Sequence, residues 1–188
     1  MNIQRSTATL ALITSCALAL PAQAEMMAYM TVKGQKQGLI QGSITQKGRE
    51  GKIGVIATDH VVIVPTDAAS GQPTGKRMHK PILITKEVDK SSPLLHNAQD
   101  MNENLPEVQI QYWMPRRDAM GAGSEYQYYT VTLTNARIVS LRQVMPNMRN
   151  PELLKFAAYE EVALAYQKIT WTWNDGGITA SDDWEARY

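Results

Sequence analysis

Past residue 26 the chain alternates. MAYMTVK places Ala28, Met30 and Val32 on one face of an extended segment and Tyr29, Thr31 and Lys33 on the other, the two-residue period of a half-buried strand. KIGVIA repeats it with Ile53, Val55 and Ala57 on one side. HVVIV (60–64) and PILITKEV (81–88) are denser apolar runs, rich in the β-branched residues that buried strands prefer. EVQIQYWM sets Val108, Ile110, Tyr112 and Met114 against Glu107, Gln109, Gln111 and Trp113. YQYYTVTLTNARIVSLRQV alternates over a long reach, with Tyr129, Val131 and Leu133 opposite Tyr128, Thr130 and Thr132 and a break predicted at Asn135. EEVALAYQKITWTW closes the pattern, with Ala163, Ala165, Gln167, Ile169, Trp171 and Trp173 predicted on one face.

The remaining stretches read as connections. Residues 65–80, PTDAASGQPTGKRMHK, carry turn residues and two basic clusters but no apolar period, which predicts a long loop; such loops in small domains tend to be functional or disordered. RRDAMGAGSE (116–125) reads as a glycine-containing hairpin connection, and Asn174 to Gly177, NDGG, as a tight turn. The best helix signal is SSPLLHNAQ, with Ser92 as N-cap, Pro93 in the first turn and an apolar stripe of Leu94, Leu95 and Ala98. Asn150 can cap a helical turn starting at Pro151. Eight or nine strands and one short helix predict a mainly β fold, a small two-sheet β-barrel or sandwich with one flanking α-helix.

Ahead of this domain, residues 1–24 have Arg5, an apolar run from Ala8 to Leu20, Pro21 and the small-residue signal Ala22-Gln23-Ala24. That layout predicts a secretory signal peptide cleaved before Glu25, with a misassigned start at Met26 or Met27 as the competing reading. A lipid anchor at Cys16 is disfavoured by the apolar residues that follow it. The single domain is then expected over 25–188. Cys16 is the only cysteine, so a processed chain has neither a disulfide nor a thiol nucleophile. Without Arg5, 18 Lys and Arg balance 18 Asp and Glu. Zero net charge gives no reason to expect nucleic acid or membrane insertion, and it offers little resistance to self-assembly.

Candidate chemistry is sparse. His60, His79 and His96 show no metal-ligand spacing, and no nucleophile elbow, zinc-helix motif or phosphate loop occurs. Glu160-Glu161 and Asp182-Asp183 are neighbours only along the chain and are expected to be solvated, as is the basic patch Lys76, Arg77, Lys80. No catalytic residue, metal or cofactor is expected. The strand aromatics Tyr126, Tyr128, Tyr129, Trp171 and Trp173 must divide between two faces, which points to a protein interface or a carbohydrate platform.

Four segments carry a resemblance. MTVKGQKQGLIQGSIT (30–45), HKPILITKEVDKSSPLLHNA (79–98), YYTVTLTNARIVSL (128–141) and EEVALAYQKITWTW followed by GGITASDDW (160–173 and 176–184) resemble the Hcp family, the haemolysin-coregulated tube proteins of type VI secretion systems. The resemblance covers nearly the whole chain after residue 26 with its motifs in order. It implies a non-catalytic two-sheet β-barrel that forms homohexameric rings. The rings stack into a secreted tube, partnered by spike and sheath proteins, with small effectors in the lumen. It also implies that the loop reaching from His60 to Lys80 touches a neighbouring protomer or ring, with Lys76, Arg77, His79 and Lys80 as contacts. A C-terminal toxin domain is not expected after Trp184. The leader departs from the family pattern, because tube proteins are expected to assemble in the cytoplasm. An exported paralogue acting as a periplasmic or extracellular binding protein is the alternative it raises.

Overall fold

The computed structural model describes residues 27–116 and 124–184. The signal-peptide reading of residues 1–24, and most of the connection expected at 116–125, lie outside the described residues. Strands β1 (Met27–Gly34), β2 (Gly38–Ile40), β3 (Ile53–Val55) and β4 (Ala57–Asp59) come first. Two short strands, β5 (Val62–Ile63) and β6 (Met78–His79), pair only with each other. Strand β7 (Ile82–Glu87), helix α1 (Ser92–Asp100), β8 (Leu105–Pro115) and β9 (Glu125–Val144) follow. After them come β10 (Tyr159–Ala165), β11 (Lys168–Trp173) and β12 (Ile178–Asp183).

The fold is mainly β, as expected, and every ladder is antiparallel. Hydrogen-bonded neighbours run β2-β1-β8-β9-β10-β7-β4, with β11 and β12 branching from β9 and β3 from β1. β9 belongs to both sheets. Tyr129 to Thr134 pair with β11, while Arg137 to Val144 pair with β10. Residues 53–59 do the same on the other side, β3 pairing with β1 and β4 with β7 about Ile56. One apolar core fills the space between, drawing Met30, Val32, Ile110 and Leu133 from one sheet and Ile82, Ile84, Val162 and Leu164 from the other.

Among the described residues twelve strands appear where eight or nine were expected, because long alternating runs fracture where the chain changes sheets. At Asn135 the backbone takes φ +49°, and the buried positions shift from Val131 and Leu133 to Ala136 and Ile138. A one-residue slip is needed to keep apolar side chains inward after the strand changes partner. The predicted break is therefore real, although pairing continues through it. The stretch 160–173 breaks too. Its core face is Val162, Leu164 and Tyr166, then Ile169, so Ala163 and Ala165 do not share a face with Ile169 as expected. The Gln167 amide bridges the gap by donating to the Thr134 carbonyl at 3.2 Å.

Helix α1 starts one residue earlier than expected. Ser91 occupies the N-cap position without a side-chain cap. The Ser92 hydroxyl is used elsewhere, accepting from the Asp89 amide at 3.0 Å and donating to Glu160 at 2.7 Å. Leu95 and Ala98 face the core, whereas Leu94 is exposed. The short turn Pro151–Leu153 is capped by Asn150, whose side chain accepts from the Glu152 amide at 3.1 Å. Gly176 and Gly177 take positive φ in the β11–β12 hairpin, a conformation glycine adopts without steric cost.

Candidate interaction surface

Residues 61–80 leave the sandwich as an arm. HVVIV is not a buried strand: Val61, Val62, Ile63 and Val64 are 43, 42, 39 and 49 % exposed, and Met78 on the returning side is 42 % exposed. Only four residues of the arm are in strands, with a further bridge between Thr66 and Pro73. The arm has a hairpin ladder but no second layer to bury its valines. At its tip, Asp67 gathers the amides of Ala69 and Ser70 and the Ser70 hydroxyl, fixing the turn. Those bonds hold its carboxyl below the usual range.

The four contact residues expected on this arm fall into two groups. Lys76 and Lys80 are exposed. Arg77 and His79 face inward and meet Asp182 of β12, Arg77 through both Nε and Nη2 and His79 through Nε2 at 2.7 Å. Asp182 is thus a half-buried ion-pair partner, correcting the expectation of a solvated carboxylate. The Tyr166 hydroxyl lies 2.8 Å from His79 Nδ1 and 2.6 Å from His60 Nε2, so one phenol joins both roots of the arm. The His79 ring stacks on Trp171 at 6.3 Å and 24°, and Trp184 packs 5.5 Å away. Burial pushes the Tyr166 phenol up to about 12. Burial also holds His60 and His79 below the ordinary histidine value, with His60 and Arg77 adding repulsion at His79. His96 lies apart, half-buried on α1. Among the described residues no cluster of His, Cys, Asp and Glu is arranged to hold a metal.

A second surface lies on the outer face of the sheet made by β7 and β10. Residues 145–157 arch over it and leave a groove of about 900 Å³. Its apolar lining includes Ile56, Met145, Leu153 and Phe156, and Glu87, Glu161 and Lys155 line it as well. Ile56 and Met145 are 59 and 75 % exposed. Glu161 is half-buried, 2.9 Å from Arg142. The outward aromatics are less available than expected. Tyr128 packs on Tyr112 and Trp173, Trp171 packs against the core, and Trp173 remains substantially exposed.

Glu160 is the clearest departure from the expected solvated pair. It is fully buried directly across from Lys86, equally buried, at 2.5 Å. Lys86 Nζ also reaches the Glu87 carbonyl at 2.7 Å, Asp89 at 2.9 Å and Ser92 Oγ at 3.2 Å. The signal was present in the parity of the two strands: Lys86 follows Ile82 and Ile84, and Glu160 precedes Val162 and Leu164, on the core faces.

Two antiparallel sheets around one core, with an apolar arm and a separate apolar groove, define a β-sandwich with two exposed apolar surfaces. The chain belongs to the Hcp family: the family model described as type VI secretion system effector, Hcp, matches residues 29–173. It is 42 % identical over 168 residues to the Major exported protein of Pseudomonas aeruginosa, covering 85 % of this chain and 95 % of that one. Among solved structures, Hcp1 of the E. coli EAEC 042 pathovar superposes with a TM-score of 0.73 at 36 % identity, covering 85 % of this chain and 99 % of that one. The secreted protein Hcp3 of Pseudomonas aeruginosa superposes with 0.67 at 36 % identity, covering 86 % of this chain and all of the other.

Proposed function

We propose that this protein is a non-catalytic tube subunit of a type VI secretion system. Residues 25–188 act as one ring-forming domain, six copies close into a ring, and rings stack into a tube that is itself secreted. Small effector proteins occupy the lumen, and the spike and sheath proteins are the other partners. Family membership supports this reading, and the observation that carries it is the arm. A free chain would hold Val61 to Val64 and Met78 in water, apolar side chains on both faces of the hairpin, of the kind that marks a protein contact. The groove under residues 145–157 is a second, different apolar surface on the same chain. Two unlike surfaces are what a head-to-tail ring needs, since each copy offers one face and receives the other. Among the described residues β12 is paired only with β11, so its outer edge is a further place for a neighbour to hydrogen-bond. Lys76, Arg77, His79 and Lys80 are the proposed contact set, with Lys76 and Lys80 reaching outward and Arg77 and His79 fixing the arm that carries them.

Electron microscopy and sedimentation velocity of the purified full chain test this. The expected result is a six-membered ring that falls to monomer in Val62→Glu/Val64→Glu while circular dichroism stays unchanged. A strictly monomeric wild type at high concentration would overturn it. N-terminal sequencing of the native protein decides the compartment. An N-terminus at Glu25 in periplasmic material favours the exported binding protein, and one at Met26, Met27 or Ala28 favours cytoplasmic assembly.

A further inference from the structure

We propose that His60, Tyr166 and His79 form a proton-operated latch at the root of the arm, which holds while at most one imidazole is protonated and releases the arm when both are. The donors and acceptors at this junction fix one another. Asp182 can only accept, so His79 Nε2 carries a hydrogen and its Nδ1 offers a lone pair when the ring is neutral. The Tyr166 hydroxyl donates to that lone pair and accepts from His60 Nε2–H. A first proton on His60, where Asp59 favours it, leaves this chain as it stands: Nε2–H still donates to the phenol oxygen, and the phenol still donates to a neutral His79. A second proton leaves no lone pair on either imidazole, so the phenol hydrogen has no acceptor there. It also puts two cations on rings 5.9 Å apart.

The surrounding charges are divided. Asp59 favours the imidazolium at His60, and Asp182 favours it at His79. Arg77 already binds both oxygens of Asp182 and opposes a further cation beside it. Trp171 of β11 and Trp184 contribute rings without charge. Tyr166 stays a phenol throughout, with its ionisation near 12. Both histidines sit below their ordinary value, so the docked arm binds fewer protons than the released arm. Docking is therefore strongest above about pH 6.5 and is lost as the pH falls through the depressed values, on the order of tenfold per pH unit for each proton taken up. The latch concerns the arm's attachment to its own sandwich and stands whether or not the arm binds a second copy.

Hydrogen exchange of amides 61–80 in the full chain tests it, corrected for intrinsic rates, at about pH 7.5 and about pH 5 and at two protein concentrations to separate protection by a neighbour. Exchange is expected to accelerate by roughly tenfold or more at the lower pH in the wild type, and by less than about twofold in His60→Gln/His79→Gln. Equal protection at both pH values in the wild type, or an acid step that survives in the double variant, overturns the latch. Should the double variant lose its fold, the His79 ring is titrated by NMR in wild type and in His60→Gln. The glutamine carbonyl accepts the phenol hydrogen and carries no charge, so the His79 pKa must rise; an unchanged value overturns the proposal.

Discussion

Replacing Lys86 with methionine keeps the aliphatic stem and removes the ammonium from the most deeply buried ion pair among the described residues, leaving Asp89 the Ser91 amide and hydroxyl. Glu160 would then keep one partner on Oε1, the Ser92 hydroxyl at 2.7 Å, while its Oε2 is already buried without a partner. Removing one member of a buried pair costs about 3–5 kcal/mol, because the other charge stays desolvated and unmatched. For a chain of this size each kcal/mol moves the midpoint by about 2–4 °C, so Lys86→Met should melt roughly 6–20 °C below wild type. Lys86→Met/Glu160→Met removes both charges, and such apolar replacements are near neutral or stabilising by about 1–4 kcal/mol, so most of the loss should return. Calorimetry and urea unfolding of the four proteins, at one fixed protein concentration, give the coupling from the double-mutant cycle. A single-variant cost below about 1 kcal/mol, or a double variant as unstable as the two losses added, would refute this account of the pair.

Three smaller perturbations follow from the same structure. Asn135→Gly should leave the midpoint nearly unchanged, whereas Asn135→Val should cost about 1–3 kcal/mol by thermal unfolding, since a β-branched residue is strained at φ +49°. Gly42→Ala would place a Cβ against the Lys52 carbonyl and the Ile53 backbone, and should cost about 1–3 kcal/mol in urea. Glu103 is 2 % exposed and accepts from the Lys36 amide at 2.5 Å, the Gln37 amide at 2.9 Å and Gln37 Nε2 at 2.8 Å. Burial pushes its carboxyl up, but those bonds and Lys36 outweigh it and hold the group below the usual value. The wild type should therefore exceed Glu103→Gln by about 1.5–3 kcal/mol above roughly pH 4.5, and the gap should close as acid protonates Glu103.

The sequence was most readable where one face of one strand meets one core. Ala28, Met30 and Val32, Val108 and Ile110, and Val131 and Leu133 all point as their alternation predicts. The Asn150 cap and the NDGG turn depend on a few consecutive residues and were equally legible. Alternation failed at Ile56 and at Tyr166-Gln167, and broke at Asn135 where a break was predicted, because a strand that changes sheets must also change phase, and the need for that change comes from partners far along the chain. HVVIV failed for another reason. Its β-branched residues do form strand, but composition records the backbone preference and not whether a second layer will arrive to cover it.

The candidate site was hidden in the same way. His60, His79, Tyr166 and Asp182 are up to 122 residues apart in numbering, yet the turn between β10 and β11 brings them together. Leaving β10, the chain must slip by one position before β11 can pair with β9, and Tyr166 sits at that slip. It packs with the core and aims its hydroxyl at both ends of the arm. The slip that defeats the alternation is thus what frees a side chain to reach out of the ladder. An arm with exposed valines and no second layer has little apolar burial of its own to hold it, so the polar contacts at its root set its direction. Tyr166→Phe keeps the ring in the core and deletes both of those hydrogen bonds, a loss of about 1–3 kcal/mol concentrated on the arm. Exchange of amides 61–80 should then be fast at every pH while the core amides keep their protection; slowing equal to wild type would show that the hydroxyl does not hold the arm.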